Sequence, residues 1–291
     1  MLMKPSLAAV HAIVQMALLE DAPWGDVTSQ ALIPDHAIVT AELVAREDGV
    51  FCGEDLFAAA MTLTDQAVTT RFLVSDGDRF RKSDVLARVQ GPARAVLQAE
   101  RVALNFTQRM SGIATMTSAY VAEVAGMKTK IVDTRKTTPG LRLFERFAVR
   151  CGGGHNHRYS LSDAVMAKDN HLALLTTDGI HGLTEALRAI REHVPHTTHV
   201  EVEVDRLDQI EAVLAAGVDT IMLDNFTISD LAAGVKQVNG RALVEASGGI
   251  KLERVREIAA TGVDLISVGA LTHSVRSLDL GLDVQVSLPA V

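Results

Sequence analysis

The sequence of 291 residues is poor in cysteine, in aromatic residues and in net positive charge. Cys52 and Cys151 are its two cysteines and no CxxC pair occurs, which argues against a disulfide framework or a cysteine-based zinc site and indicates a reducing cytoplasm. Aromatic residues make up 4% of the chain and the formal net charge is -8, so the stacking surfaces and basic stripe of nucleic-acid-binding proteins are missing. We therefore expect small-molecule ligands and no nucleic acid.

Long apolar stretches are also missing. The segment after Lys4, LAAVHAIVQMALL, has the length of a signal-peptide core, but His11 and Gln15 interrupt it and acidic residues follow it. It predicts instead an amphipathic helix with Ser6 as the N-cap. No other segment approaches the run of about 18 apolar residues that a membrane span requires, so we expect a cytoplasmic protein without a membrane span.

The pattern of the chain changes after its first third. Residues 36–100 contain alternating stretches such as TAELVARE and turn signals such as SDGD, which predict a small α+β domain. From Glu100 to Gly126 the apolar residues recur at helical spacing, which predicts a helix that joins this domain to the rest. Hydrophobic residues make up 48% of the chain, which is enough for a core in each of two domains.

The rest of the chain alternates between strands and helices. Six apolar segments predict buried strands: KIVDT, AVMAKD, HVEVEV, DTIMLD, ALVEAS and DLISVG. Six or seven such units favour a TIM-like βα barrel over a doubly wound sheet, and the glycine-rich dinucleotide-binding motif of such a sheet is missing. The tail from Leu278 alternates like an edge strand, so we expect it to return to the sheet of the first domain.

Polar residues and glycines stand at the carboxyl ends of the predicted strands. In a βα barrel those ends share one rim, and that rim carries the chemistry. The residues that we expect to meet there are Asp133, Arg135, Lys136, Lys168, Glu203, Asp224, Ser247 and Gly269. After the last two strands, the SGG of residues 247–249 and the GA of residues 269–270 also offer backbone N–H groups to a phosphate.

A cluster of cations follows the first two barrel strands of an otherwise acidic chain. Its members lie in the motifs DTRKTTPG, RCGGGHNHR and KDNH: Arg135, Lys136, Arg142, Arg150, His157, Arg158 and Lys168. Arginine offers forked donors that fit a carboxylate or phosphate, and lysine offers a point charge. The glycines at 152–154 would let the backbone approach a ligand closely or let the loop take positive φ. The cluster predicts a site for a small, multiply charged anion.

These motifs resemble those of the quinolinate phosphoribosyltransferases, also called nicotinate-nucleotide pyrophosphorylases, over nearly the whole chain. The segments that carry the resemblance are DTRKTTPGLR, FAVRCGGGHNHR, DAVMAKDNH, VEVEVD, MLDN, EASGGI and VGALTHS, with GDVTS and ERVALNF nearer the N-terminus. The resemblance implies an α/β protein with an N-terminal α+β sandwich, residues 1–112, completed by the tail 276–291, and an irregular βα barrel, residues 113–275. It also implies a homodimer with shared active sites, or a hexamer.

The resemblance further implies a reaction. A phosphoribosyl group would pass from phosphoribosyl pyrophosphate (PRPP) to quinolinate, with decarboxylation, to give nicotinate mononucleotide, pyrophosphate and carbon dioxide for NAD biosynthesis. The carboxylates of quinolinate would contact Arg135, His157, Arg158 and Lys168, with Arg101 entering from the neighbouring subunit.

The PRPP side of the site follows from the same resemblance. Lys136 and Lys168 would face its phosphates, and Glu203 and Asp224 would hold the ribose hydroxyls or Mg²⁺. These four are the implied catalytic residues. The phosphate-binding loops would contribute Ser247, Gly248, Gly249, Gly269, Ala270 and His273.

Other interpretations stay open on the sequence alone. Lys168, at the end of an apolar strand, is also compatible with a Schiff-base lyase. His155, His157 and His171 could bind zinc, although anion binding and hydrogen bonding are the commoner uses of such residues. A pyrophosphorylase-like relative encoded with molybdate transport would share the fold, and a non-catalytic anion-binding protein would share the cation cluster.

Overall fold

The structure is a computed structural model that describes residues 3–175 and 180–285, and it divides into two compact units. The first unit consists of the residues up to Ser118, the segment Thr138–Gly153 and the residues from Ser274 onward. The second consists of Ala119–Thr137 and Gly154–His273. The sequence-based boundaries, 1–112 and 113–275 with the tail 276–291, stay a prediction, and this division differs from them in grouping Thr138–Gly153 with the N-terminal residues.

The first unit is built on an antiparallel sheet. Its helices are α1 Leu7–Asp21, α2 Val27–Leu32, α3 Glu54–Thr64, α4 Ala93–Glu123, whose last residues belong to the second unit, and α5 Arg142–Cys151. Its strands, numbered in chain order, are β1 Ile38–Ala45, β2 Gly49–Val50, β3 Thr69–Phe72, β4 Arg79–Phe80, β5 Val85–Pro92 and the C-terminal β12 Leu280–Gln285. The four-stranded sheet has the order β12-β1-β5-β3, and β2 pairs with β4.

Alternation along β1 explains the position of the sheet core. Every second residue from Val39 to Ala45 is buried, which places one face of the strand inward. The C-terminal strand pairs antiparallel with β1, and Leu282 stands opposite Leu43. The two ends of the chain therefore contribute to the same sheet.

The predicted N-terminal helix is confirmed. The side chain of Ser6 accepts a hydrogen bond from the backbone N–H of Ala9, as an N-cap does. Val10, Val14 and Leu18 are buried, and their spacing of four residues gives the helix one inward face.

The helix predicted from Glu100 begins earlier, at Ala93. Strand β5 ends at Pro92, and the segment ARAVLQA that follows consists almost entirely of strong helix formers. The spacing of apolar residues marks only the half of the helix whose buried face is regular, so the sequence interpretation missed the first turns.

One feature of α5 differs from the sequence interpretation, and another agrees with it. A Cβ atom added to Gly152 would lie 2.4 Å from the carbonyl oxygen of Ala114, so this glycine permits close packing of the end of α5 against α4 instead of contact with a ligand. Cys151, on the same helix, is buried beside the buried Cys52, and both thiols are free. Burial, together with the neighbouring Cys151, raises the pKa of the Cys52 thiol well above its usual value.

The second unit is a parallel βα structure. Its strands are β6 Lys130–Val132, β7 Val165–Ala167, β8 Val200–Val204, β9 Thr220–Asp224, β10 Leu243–Ser247 and β11 Leu265–Ser267. Its helices are α6 Asp169–Leu175, α7 Ile180–His193, α8 Ile210–Ala215, α9 Ile228–Val238, α10 Leu252–Ala260 and α11 Ala270–His273. All six strands pair in parallel in the order β6-β11-β10-β9-β8-β7, which confirms the predicted irregular βα barrel.

The barrel is irregular beside its first strand. His155 forms an isolated parallel bridge with Val132, so a short extended segment continues the sheet at that edge.

Within the part of the chain that the structure describes, no helix is long and apolar enough to cross a membrane.

Candidate active site

A cavity of about 410 Å³ opens at the carboxyl ends of the barrel strands. Its lining consists of residues of the second unit: Thr134, Arg135, Lys136, His157, Arg158, Met166, Lys168, Glu203, Met222, Asp224, Glu245, Ser247 and Ser267. The volume lies within the range of small-molecule sites. Eight of the residues predicted from the sequence for substrates or catalysis therefore line one cavity: Arg135, Lys136, His157, Arg158, Lys168, Glu203, Asp224 and Ser247.

Strand register explains why residues distant in sequence meet here. Asp224 stands directly opposite Ser247 in the neighbouring parallel strand, and Glu203 stands opposite Met222. Because parallel strands in this order end at one rim, Glu203, the residue before the last of β8, faces the same cavity as Asp224 and Ser247, the last residues of β9 and β10.

Asp133 fixes the two loops that carry the cations. It is fully buried, and its carboxylate accepts hydrogen bonds from the side chain of Asn156 at 2.6 Å and from the backbone N–H of His157 at 2.7 Å. The segment after β6 is thereby tied to the HNHR segment. The sequence placed Asp133 at the rim, but its position makes it a support for the loops that bear Arg135 and Arg158.

Arg135 and Arg158 bring positive charge together in the cavity. The Nε atom of Arg135 is buried, and within residues 3–175 and 180–285 it has no hydrogen-bond partner. Burial, and then the neighbouring charge of Arg135, lower the pKa of the Arg158 guanidinium. Two guanidinium groups that repel one another in a partly buried cavity are suited to bind a ligand with carboxylate or phosphate groups.

Lys168 and Glu203, which also line the cavity, form a salt bridge. The Lys168 Nζ atom lies 2.6 Å from Glu203 Oε2, and the lysine side chain is 46% exposed. An exposed ammonium group of this kind can turn to a phosphate that enters the cavity.

Glu203 and Asp224 supply the acidic part of the lining. They end neighbouring strands, and the Asp224 carboxylate accepts a hydrogen bond from Asn225 Nδ2 at 2.6 Å. Carboxylate oxygens are the ligands that Mg²⁺ takes from proteins, so this pair fits the predicted metal as well as ribose hydroxyls.

The SGG segment has the backbone conformation that requires glycine. Gly248 and Gly249 both have positive φ, 91° and 56°. A Cβ on Gly248 would lie 2.2 Å from Asn225 Oδ1, so any side chain here would disturb the loop after β9. The segment lies between Ser247, the last residue of β10, and α10.

The GA segment adjoins a predicted catalytic lysine. A Cβ on Gly269 would lie 3.0 Å from Lys136 Cδ and 3.1 Å from the ring of His273, so both side chains pack against this glycine. The hydroxyl of Thr272 donates to the Lys136 carbonyl at 2.7 Å, which ties the loop after β6 to α11, the helix that Ala270 begins. The predicted phosphate residues of the last strand are thus neighbours of Lys136.

Two buried glutamates below the rim were not predicted. Glu201 and Glu245 are 3% and 1% exposed, and the ring Nε2 of His157 lies 2.9 Å from Glu201 Oε2 and 3.6 Å from Glu245 Oε2. Burial, and then the charge of Glu201, raise the pKa of Glu245 to about 8. Burial alone would lower the pKa of His157, but its hydrogen bond to Glu201 and the charge of Glu245 raise it overall.

The sequence held a weak signal for this group. Alternation along VEVEV places Glu201 on the same face as Glu203, and Glu245 stands within the apolar run of β10. The side chains of His157, Glu201 and Glu245 form the cluster of potential metal ligands that the described residues contain. His155 and His171 are not part of it, and the ring Nδ1 of His171 accepts the backbone N–H of Lys168 at 3.0 Å.

Some cations of the predicted cluster lie elsewhere. Among the residues that the structure describes, the cavity lining does not include Arg142 or Arg150, which lie on α5 in the first unit. Arg101 lies exposed on α4, also in the first unit.

The family models and the similar sequences of known proteins agree on one family for this chain. The family model "Quinolinate phosphoribosyl transferase, N-terminal domain" matches residues 26–111, and the model of the C-terminal domain matches residues 113–283. The chain is 43% identical over 273 residues to the probable nicotinate-nucleotide pyrophosphorylase (carboxylating) of Bacillus subtilis, an alignment that covers 94% of this chain and 92% of that protein. It is 44% identical over 285 residues to the nicotinate-nucleotide pyrophosphorylase (carboxylating) of Mycobacterium leprae, covering 95% and 97%.

A solved structure agrees with these matches. The nicotinate-nucleotide pyrophosphorylase from Francisella tularensis superposes with a TM-score of 0.91 at 38% identity, covering 98% of this chain and 99% of that one. Both halves of the family's domain organisation are therefore present. The chain belongs to the quinolinate phosphoribosyl transferase family.

Proposed function

We propose that this protein transfers the phosphoribosyl group of PRPP to quinolinate and decarboxylates the product, giving nicotinate mononucleotide, pyrophosphate and carbon dioxide in NAD biosynthesis. The observation that carries the proposal is one cavity whose lining contains both the guanidinium groups of Arg135 and Arg158 and the carboxylates of Glu203 and Asp224. The relatives described above bear the name of the same enzyme.

The cation side suits quinolinate. Its two adjacent carboxylates match the forked donors of Arg135 and Arg158, and the buried Nε of Arg135 would gain a partner on binding. Held in this way, the pyridine nitrogen can be directed at the anomeric carbon of a PRPP molecule bound at the other side.

The opposite side suits PRPP. Its 5′-phosphate would meet the backbone N–H groups of the loops that hold Gly248 and Gly269, and its pyrophosphate would meet Lys136 and Lys168. Expulsion of pyrophosphate leaves positive charge on the ribose ring, which the carboxylates of Glu203 and Asp224 would stabilise. The protein's contribution is therefore positioning and charge, and no side chain acts as a nucleophile.

Mg²⁺ belongs to the proposal as the ion that neutralises the pyrophosphate leaving group. Glu203 and Asp224 would hold it, either directly or through water. Loss of carbon dioxide follows ribosylation, because the positively charged pyridinium ring stabilises the electron pair that the departing carboxylate leaves, and a proton from solvent then takes the place of the carboxylate on that ring carbon.

The position of Arg101 supports a shared site. It lies exposed in the first unit, and we propose that it completes the quinolinate side of a partner subunit's cavity in a cytoplasmic homodimer or a hexamer of such dimers. Arg101→Ala and Lys168→Met chains would each be inactive alone. An equal mixture of the two chains would regain about a quarter of the wild-type activity, because about half of the dimers are mixed and each mixed dimer holds one intact site of its two.

The salt bridge at Lys168 disfavours the Schiff-base lyase. A nucleophilic lysine needs desolvated or cationic surroundings, whereas Lys168 is half exposed and lies 2.6 Å from a carboxylate.

The deciding assay supplies purified protein with PRPP, Mg²⁺ and quinolinate, and follows nicotinate mononucleotide and carbon dioxide. A parallel reaction contains nicotinate instead of quinolinate. We expect product from quinolinate alone, because nicotinate lacks the second carboxylate. A folded protein that makes no product in either reaction would point to the transport-associated relative or to an anion-binding role.

A further inference from the structure

Glu201 and Glu245 lie one layer below the proposed catalytic rim. Each stands two positions before a rim residue of its own strand, Glu203 and Ser247, and shares its face because strand side chains alternate. Both are almost fully buried, and Glu245 forms part of the cavity lining. They therefore lie between the barrel interior and the substrate space.

The ring of His157 links this layer to Arg158. Nε2 of His157 lies 2.9 Å from Glu201 Oε2, and Nδ1 accepts the backbone N–H of Arg158 at 2.7 Å. Nδ1 can accept that bond only while it carries no proton, which assigns the proton to Nε2. Both ring nitrogens are then occupied within the protein, so the ring transmits position instead of donating to a ligand.

Arg158 is held at two points. Its backbone N–H is fixed by the His157 ring, and its Nη1 donates to the carbonyl of Ala164 at 2.9 Å. A guanidinium that is fixed in this way retains its orientation in the cavity, as bidentate recognition of a carboxylate requires.

The stability of the fold does not explain why Glu201 and Glu245 are buried together. The Oε1 atom of each carboxylate is buried, and no described residue forms a hydrogen bond with it. Two buried carboxyl groups, each with an oxygen atom that lacks a hydrogen-bond partner among the described residues, destabilise a fold relative to apolar residues of the same size. Such an arrangement is characteristic of functional sites.

We infer that Glu201 and Glu245 are positioning residues for quinolinate: they fix the His157 ring, and through it the Arg158 guanidinium that receives a substrate carboxylate. The inference rests on the proposed function and adds to it two residues that do not touch the substrate carboxylate themselves. It predicts an effect confined to one of the two substrates.

The kinetic test compares Glu201→Leu, Glu201→Gln and Glu245→Gln with the matched surface variant Glu211→Gln, whose glutamate is exposed on α8. We expect the KM for quinolinate to rise at least tenfold in Glu201→Leu and the KM for PRPP to stay within twofold, because a charged hydrogen bond to His157 is lost. Glu201→Gln should recover part of the loss, since its amide oxygen can still accept from Nε2. Glu245→Gln should give a smaller rise, and Glu211→Gln none.

A second readout does not depend on activity. In protein labelled with ¹⁵N-histidine, long-range ¹H–¹⁵N spectra report which ring nitrogen of His157 carries the proton, with His157→Gln identifying its signals. We expect the Nε2–H tautomer in the wild type and a mixture in Glu201→Leu. Glu201→Gln replaces the leucine variant if that chain does not fold.

The possible results distinguish failure of the positioning role from failure of the proposed function. An unchanged tautomer in every Glu201 variant, or equal rises in both KM values, would overturn the positioning role whether or not the protein makes nicotinate mononucleotide. A tautomer change in a protein without transferase activity would leave the positioning of His157 and refute the proposed reaction. A transition metal retained by the wild type and lost in both Glu201→Gln and Glu245→Gln would also overturn the inference, because the three side chains would then be metal ligands.

Discussion

Buried carboxylates occur in both units, and they are satisfied very differently. In the first unit, Glu145 is fully buried, its Oε1 accepts from Arg109 Nε at 2.9 Å and Nη2 at 2.6 Å, and its Oε2 accepts from the Thr138 backbone N–H at 3.1 Å. In the second unit, Glu201 and Glu245 have one histidine between them and two oxygen atoms without a partner among the described residues.

The difference in hydrogen-bond partners distinguishes a glutamate that stabilises the fold from glutamates that serve the site. A carboxylate with a forked cation and a backbone donor is compensated in the free protein and has nothing left to offer a ligand. A carboxylate pair that is left incomplete costs stability and persists only where it holds other groups in place. The two units of this protein thus contain the same buried group in two opposite roles.

Removal of Glu145 gives the largest expected change in stability. Glu145→Ala removes the carboxylate to which the Arg109 guanidinium and the Thr138 N–H donate, so the free energy of unfolding should fall by about 3–5 kcal/mol. Urea unfolding measures the change, and Glu145→Gln, which keeps an acceptor for Thr138, should lose less. A loss below about 1 kcal/mol in Glu145→Ala would show that this carboxylate is not structural.

Removal of Lys168 should have the opposite profile. Lys168→Met is expected to lower kcat/KM by about 10²- to 10³-fold, because the charge that stabilises the leaving pyrophosphate is gone. The free energy of unfolding should change by about 1 kcal/mol or less, since the lysine side chain is 46% exposed. Lys236→Met, which alters an exposed lysine on α9, is the matched control and should retain activity. Equal losses of activity in both variants would contradict the assignment.

Glu245 should make stability depend on pH. Its pKa is raised to about 8, first by burial and then by the charge of Glu201, while His157 and Ser267 oppose the rise. A group whose pKa is raised in the folded state contributes its full stability below the unfolded value near 4.5 and loses it as the pH rises through about 8. We expect the wild type to lose stability over this window, by the order of 2–4 kcal/mol, and Glu245→Gln to flatten the curve. Urea midpoints at pH 5, 7 and 9 for both chains are the measurement, and parallel curves would be the contrary result.

The sequence predicts the rim of the barrel better than the layer beneath it. Lys168, Glu203, Asp224 and Ser247 stand where apolar segments end, and the rhythm of strand and helix is enough to bring those ends together. Glu201 and Glu245 lie within apolar runs, and their meeting with His157 depends on how far the barrel closes, which no local pattern records.

Proximity in sequence also misled the interpretation of one segment. Arg142 and Arg150 follow the RKTTPG motif closely, but they lie on α5, and that helix groups with the first unit. Gly152 looked like a ligand-binding glycine, whereas the carbonyl oxygen of Ala114 occupies the space where its Cβ would be. For Gly152, packing of α5 against α4 decided the case, and composition alone does not reveal it.

Loss of the exposed salt bridge between Glu47 and Arg276 should have the smallest effect on stability. The Arg276 guanidinium donates to both oxygens of Glu47 and, ahead of the other causes, its hydrogen bond lowers the pKa of that carboxyl to about 2. Because the arginine side chain is 70% exposed, solvent screens the pair, and Arg276→Met should lower the free energy of unfolding by less than about 1 kcal/mol. The lowered pKa places any such contribution above pH 4.5 and removes it as the pH falls toward 2, and salt should weaken it further. Unfolding measured in low and high salt tests this prediction. A loss of unfolding free energy in Arg276→Met as large as that of Glu145→Ala would mean that burial does not distinguish the two glutamates.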